Sequence, residues 1–180
     1  MATSENAKWV LDASHSELEF RVKHLMISNV KGEFKKFDAT FEGDVASLSD
    51  AKISATIDAS SIYTNEEKRD EHLRSEDFFD VEKFKDITFV GTSIKSKSDD
   101  EFELTGDLTM KRITKPVTLN VEFGGVIKDP WGNDKSAFSF SGEINRKDWG
   151  LNWNSALEAG GVLVGEKVKI NGEVQFAKQA

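Results

Sequence analysis

The chain has 180 residues, with 24 Lys and Arg against 32 Asp and Glu, which gives a formal net charge of −8. This length is typical of one domain, and the acidic balance argues against nucleic acid as a partner. The absence of Cys excludes disulfides and thiol chemistry. The sequence has no run of about 18 apolar residues, so we expect no integral membrane segment. "MATSENAKWVLD" carries no export signal, so we expect one domain spanning 1–180 that is cytoplasmic, or exported if a signal has been removed from the chain.

Alternating apolar and polar residues predict antiparallel strands along most of the chain. In "ELEFRVK", Leu18, Phe20 and Val22 share one side and charged residues the other. The same period of two recurs in "KISATID", "EFELTGDLTM", "TKPVTLNVEF", "SAFSFSGEI" and "EKVKINGEVQF". With the short "KWVLD" and two less regular segments, we expect about nine strands. One polar face indicates antiparallel pairing, which can close as a barrel or fold over as a sandwich.

The segment "GEFKKFDATFEGDV" changes the side on which its apolar residues fall. Phe34 belongs to one parity, whereas Phe37 and Phe41 belong to the other. One extra residue at Lys35 or Lys36 would explain the change, so the pattern predicts a β-bulge there.

One stretch, "TNEEKRDEHLRSEDFF", is typical of a short polar helix, at about 65–75. Thr64 followed by Glu67 is a capping-box pattern for its N-terminus. The helix has too few apolar residues to be a core element, so it must lie on the surface. Either it is a solvated face, or it crosses one end of a barrel as a lid or gate. The residues that would hold it there are Leu73, Phe78 and Phe79.

Glycine occupies an apolar-face position in three predicted strands, at Gly106, Gly142 and Gly172. Glycine at such places can permit the coiling that a barrel corner needs. Alternatively, the missing side chains can leave a hollow, because an eight-stranded barrel is just wide enough to be filled or to hold one small ligand. A hollow walled by Phe, Leu, Ile and Val would suit an apolar ligand.

Signals for catalysis or metal binding are weak. Asp12, His15 and Ser16 are the residue types of a nucleophilic triad, but they are too close together in the chain, so a turn or a capping role is the better interpretation. His15, His24 and His72 have no metal-ligand spacing, so we expect no metal site.

Two tryptophans four residues apart follow one of the predicted strands. Trp149 and Trp153 lie in "NRKDWGLNWN", directly after "SAFSFSGEI". Large aromatic side chains at such a place either pack the loop or cover the open end of a barrel as a shelf for ligand. The sequence leaves both interpretations open.

Four motifs occur in order along the chain: "W-x-L-D-x-x-H-S-x-L-x-F-x-V-K-H-L" at 9–25, "R-D-x-H-L-R-S-x-D-F-F-D" at 69–80, "T-K-P-V" at 114–117 and "I-N-R-x-D-W-G-L" at 144–151. In these motifs the chain resembles the YceI-like family of polyisoprenoid-binding proteins. The resemblance implies an all-β fold, an antiparallel eight-stranded extended lipocalin-like barrel. Lys111 and Arg112 depart from the pattern, because they stand where relatives carry a Gly-bearing turn.

The resemblance also implies the ligand, a polyisoprenoid, isoprenoid quinone or fatty-acid derivative bound without catalysis and with no other cofactor. It is compatible with a homodimer. We expect the ligand-binding residues to be Phe20, Val22, Phe41, Ile57, Leu73, Phe78, Phe89, Leu104, Leu108, Leu119, Phe140, Ile144, Trp149 and Trp153. Two alternatives stay open: an enzyme that uses His72 or His15 on such a lipid, and a stress-related structural or interaction protein with a filled barrel.

Overall fold

The computed structural model describes residues 7–25, 27–154 and 164–179. Its strands are β1 (Ala7–Leu11), β2 (Glu17–His24), β3 (Ser28–Phe34), β4 (Phe37–Gly43), β5 (Lys52–Asp58), β6 (Ile62–Tyr63), β7 (Asp86–Ser96), β8 (Glu101–Met110), β9 (Ile113–Lys128), β10 (Asp134–Asn145) and β11 (Val164–Lys178). One α-helix, α1, covers Glu67–Arg74, and 3-10 turns cover Ala13–His15, Leu48–Asp50, Ala59–Ser61 and Arg146–Trp149. Among the described residues, no helix has the length and apolar character needed to cross a membrane.

The strands form one antiparallel sheet that closes on itself as an eight-stranded barrel. β4, β5, β7, β8, β9, β10 and β11 follow one another in hydrogen-bonded order, and β1 pairs with both β4 and β11. The β1–β11 pairing is what selects the barrel over the sandwich, because it leaves these eight strands without a free edge. β2, β3 and β6 extend the barrel wall beyond β1, β4 and β5.

The prediction of a β-bulge at Lys35 or Lys36 was wrong, because the structure has a break between two strands at this position. Instead of one extra residue in one strand, both facing strands are interrupted: β3 pairs with β2 and β6, whereas β4 pairs with β1 and β5. The Lys35 N–H donates to the Ser61 carbonyl, and the Lys36 carbonyl accepts from the Asp58 N–H. Similar interruptions separate β1 from β2 and β5 from β6. Because each interruption resets the alternation, the apolar side chains on both sides of it face the barrel interior, which accounts for the parity change.

Aromatic side chains fill the end of the barrel that holds β1, which we name the aromatic end. Phe41 stacks on Trp9 with ring centroids 5.5 Å apart, and it meets Phe138 and Phe176 edge to face. Trp9 and Phe41 are each only 3% exposed. Offset and edge-to-face pairs of this kind add to the free energy gained from burial, so this end is closed by packing.

The opposite end, the helix end, is closed by α1 and the turn that follows it. Pairing between β5 and β7 stops at Asp58 and Asp86, and the chain between β6 and β7 covers the gap. As predicted, Leu73, Phe78 and Phe79 hold the helix, packing against the buried core.

The capping-box prediction was wrong. Glu66 is the N-cap and accepts a hydrogen bond from the Arg69 backbone N–H. The Thr64 hydroxyl is engaged elsewhere, since it donates to buried Asp70 and accepts from Arg69 Nε. α1 therefore starts at Glu67, slightly later than the sequence suggested.

Asp12, in the turn between β1 and β2, connects this turn to β10 through an ion pair. Its carboxylate lies 2.8 Å from Lys135 Nζ and 2.9 Å from His15 Nδ1, and it accepts from the Ser14 backbone N–H and hydroxyl. The hydrogen bond from Lys135, followed by those from Ser14 and His15, holds the pKa of Asp12 well below its ordinary value. A carboxylate with a lowered folded-state pKa stabilises the fold above its ordinary pKa, and this stability is lost as the pH falls through the lowered value.

We therefore expect Asp12→Asn to lower the free energy of unfolding by about 1–2 kcal/mol at pH 7, because one turn cap and one ion pair are lost. The deficit should shrink as the pH falls below about 4. Thermal and urea unfolding between pH 7 and pH 3 would measure it, with Asp99→Asn, which removes an exposed loop carboxylate, as the control. A deficit that stays constant down to pH 3 would contradict the proposed role of the ion pair.

Candidate functional site: an apolar cavity inside the barrel

A cavity of about 550 Å³ lies inside the barrel between the aromatic end and the helix end. Apolar side chains from every strand except β1 form most of its lining. Along β10 the lining runs from Phe138 to Ile144, which corresponds to about 15 Å along the barrel axis for strands tilted by roughly 40°. The barrel is therefore hollow, with the dimensions of a long and narrow apolar ligand site.

The structure brings together twelve of the fourteen residues that the sequence singled out for ligand binding. They line the cavity as Phe20, Val22, Ile57, Leu73, Phe78, Phe89, Leu104, Leu108, Leu119, Phe140, Ile144 and Trp153. Alternation along the strands is what identified most of them, because residues two apart face the same side of a sheet. The cavity also has lining residues that the sequence did not single out, among them Phe34, Met110 and Val168.

The other two predicted residues, Phe41 and Trp149, do not line the cavity. Phe41 lies in the packed aromatic end, stacked on Trp9. Trp149 is 2% exposed, and its indole N–H donates to the Leu108 carbonyl at 2.9 Å. A fully buried indole that needs a hydrogen-bond acceptor is held in place by that bond, so Trp149 packs the wall, and of the two tryptophans only Trp153 lines the cavity.

The inward glycines do not themselves leave the hollow that was one of their two predicted effects. A Cβ at Gly106 would lie 2.4 Å from Phe89 Cζ, and one at Gly172 would lie 2.6 Å from Phe140 Cζ. Leu119 covers Gly142 in the same way, and Phe20 covers Gly32, which the sequence reasoning missed. The space above each glycine is therefore occupied, and the cavity arises because these large side chains can lie against the wall.

Three aromatic rings close the cavity under α1. The His72 ring meets Phe78 and Trp153 edge to face, with centroids 5.1 and 4.6 Å apart. His72 Nε2 is 2.8 Å from an Asp77 carboxylate oxygen. His72 is thus a packed, hydrogen-bonded part of the lid that also reaches the cavity.

Arg146 is a buried cation at the same end, 3% exposed. Its guanidinium donates to four backbone carbonyls, those of Leu151, Trp153, Val164 and Gly165. Burial lowers the pKa of Arg146 from its ordinary value, whereas the more distant Glu166 carboxylate raises it. Arg146 therefore fastens the Trp153 segment to the start of β11.

The sequence-derived catalytic candidates do not come together in the structure. His15 lies in an exposed turn with Asp12 and Ser14, outside the cavity lining. The Ser16 hydroxyl donates to the Asp12 backbone carbonyl, which fits the turn interpretation. Within 7–25, 27–154 and 164–179, no three His, Cys, Asp or Glu side chains are grouped so that they could hold a metal ion.

Comparison with known proteins agrees with this architecture. UPF0312 protein SAS2572 from Staphylococcus aureus is 46% identical over 94% of this chain and 96% of its own length. The crystal structure of the Campylobacter jejuni YCEI protein superposes with a TM-score of 0.76 and 34% identity, covering 88% of this chain and 90% of that one. A polyisoprenoid binding domain from Saccharophagus degradans shares the fold, with a TM-score of 0.69, 14% identity, and 95% and 98% coverage. The model of the YceI-like domain matches residues 9–176, and the chain belongs to this family.

Proposed function

We propose that the protein acts as a single lipid-binding domain over its 180 residues, carrying or sequestering an amphiphilic long-chain lipid without chemical change. The observation that supports this most strongly is the cavity of about 550 Å³ with its nearly continuous apolar lining. When the tail of a lipid enters such a site, its apolar surface leaves water. This burial contributes about 25 cal/mol per Å² to the free energy of binding.

The S. degradans neighbour is described as a polyisoprenoid binding domain, which supports a polyisoprenoid, isoprenoid quinone or fatty-acid derivative as the ligand class. In this proposal the tail lies against the twelve cavity-lining residues predicted from the sequence. The homodimer and the cytoplasmic location stay predictions.

The test is the lipid content of freshly purified protein. Native mass spectrometry should show a complex with one long-chain lipid, and solvent extraction should release it for identification. After delipidation, a fluorescent fatty-acid probe should bind and be displaced by long-chain lipids. A cavity that stays empty with every lipid class, both before and after delipidation, would overturn the proposal.

An enzyme that works on such a lipid through His72 is the second candidate, because His72 reaches the cavity and is paired with Asp77. A general base of this kind needs a free ring nitrogen within reach of a substrate proton. His72→Ala should then abolish turnover while leaving lipid affinity intact. If the extracted lipid is recovered unchanged after long incubation, the enzyme hypothesis is rejected and only the proposal of lipid binding stands.

A further inference from the structure

The charged side chains that face the cavity are all positive. The lining includes four Lys and Arg residues and one acid, Glu19, in a chain where acidic residues outnumber basic ones. Glu19 and Lys23 alternate along β2 with the inward Leu18, Phe20 and Val22, so their side chains face outward. Glu19 is also paired with Lys31 at 3.3 Å. The cations that remain are Lys68, Arg69 and Arg146, which we name the basic mouth.

The basic mouth lies at one end of the barrel. Lys68 and Arg69 belong to the face of α1 that carries His72 and Leu73, since residues three and four apart share one side of a helix. Arg146 follows β10 and binds the carbonyls at the start of β11. The aromatic end offers no charged lining residue of its own within the described part of the chain. The cavity is therefore apolar along its length and positive where α1 covers it.

None of these cations forms a direct ion pair with a carboxylate of the described residues, and the buried Asp70 carboxylate is linked to Arg69 only through the Thr64 hydroxyl. Lys68 is exposed and forms neither a hydrogen bond nor an ion pair among the described residues. Arg69 uses Nε and Nη2 on Thr64, and its Nη1 makes no hydrogen bond within the same ranges. The Arg146 guanidinium donates only to neutral carbonyls, and the Glu166 carboxylate acts on it from a greater distance. A cation that leaves water without a counter-charge is costly unless an anion joins it.

We propose that the bound lipid carries an anionic head group, a carboxylate or a phosphate, which Lys68 and Arg69 hold at the basic mouth while Arg146 adds its buried charge. This inference rests on the proposed lipid-binding function and narrows the ligand to acidic amphiphiles. Quinones, alcohols and amides lack the charge that the mouth would complement. Hydrogen bonds to a charged acceptor are stronger than neutral ones, and an Arg or Lys donor suits both carboxylate and phosphate.

Matched lipids test the head group. Delipidated protein would be titrated with hexadecanoate against hexadecanol, and with farnesyl phosphate against farnesol, by displacement of a bound fluorescent probe. We expect at least one anion to bind about 10-fold more tightly than its neutral partner, a difference of about 1.4 kcal/mol. The two pairs distinguish a carboxylate from a phosphate. Higher salt should weaken the anions selectively, because exposed charges are screened.

Variants test the residues. Lys68→Met should weaken anion binding by about 10-fold more than it weakens alcohol binding, whereas Lys68→Arg should retain most of the anion affinity. Lys95→Met, which removes an exposed lysine outside the cavity lining, is the control. Equal affinity for anions and alcohols, with no effect of Lys68→Met, would overturn this inference and leave lipid binding standing. Failure of all four lipids to bind would overturn both.

Discussion

Replacing Arg146 by Met should lower the free energy of unfolding by about 3 kcal/mol. Four backbone carbonyls would lose their donor, and hydrogen bonds from a charged group contribute about 1.5–3 kcal/mol each. The release of a buried cation from its desolvation cost offsets part of this loss. In a chain of this size the melting temperature should fall by about 6–12 °C.

Two further variants serve as controls for this measurement. Arg146→Lys should recover less than half of the loss, because one ammonium cannot reach four carbonyls arranged around a planar guanidinium. Lys147→Met, one residue away, removes a half-exposed pair with Glu166 and should cost no more than about 0.5 kcal/mol. If Arg146→Met unfolds no more readily than Lys147→Met, Arg146 does not fasten the Trp153 segment.

Much of the barrel could be predicted from alternation alone, but the level of a residue along the barrel axis could not. Phe41 and Phe89 both face inward, yet Phe41 packs the aromatic end and Phe89 lines the cavity. A period of two specifies the face of a strand, whereas the level depends on the register between strands. Register follows from pairings such as Trp9 with Phe41 and Leu11 with Phe176, which no local pattern reveals.

For a related reason, the sequence did not identify the residues of the basic mouth as part of the site. Lys68 and Arg69 lie in a run of charges that is typical of a solvated helix face. What makes them part of the site is the gap beyond the last β5–β7 pair, Asp58 with Asp86, which α1 covers. Trp149 and Trp153 were similarly equivalent in sequence, and only the Leu108 carbonyl, distant in the chain, separates the packed ring from the one at the cavity.

Replacing Gly106 by Ala should close the cavity while leaving the barrel folded. The new Cβ would lie 2.4 Å from Phe89 Cζ and 2.8 Å from the Val90 carbonyl oxygen, so the Phe89 ring must leave the wall and enter the cavity, and the backbone at Val90 must also shift. Overpacking of this kind costs about 1–3 kcal/mol of stability. We expect lipid affinity to fall by about 10-fold or more, because the displaced ring occupies the volume that the tail needs.

A matched glycine and a second-site change separate this mechanism from a general loss of stability. Gly124→Ala is the control, because its Cβ would meet nothing closer than the Ala137 carbonyl oxygen at 3.4 Å. Adding Phe89→Leu to Gly106→Ala removes the far edge of the ring and should restore lipid affinity, so the two changes should be strongly coupled. Native mass spectrometry would report occupancy and urea unfolding would report stability. If Gly106→Ala loses stability but binds lipid normally, the Phe89 ring does not control the cavity, and the glycines serve only the curvature of the wall.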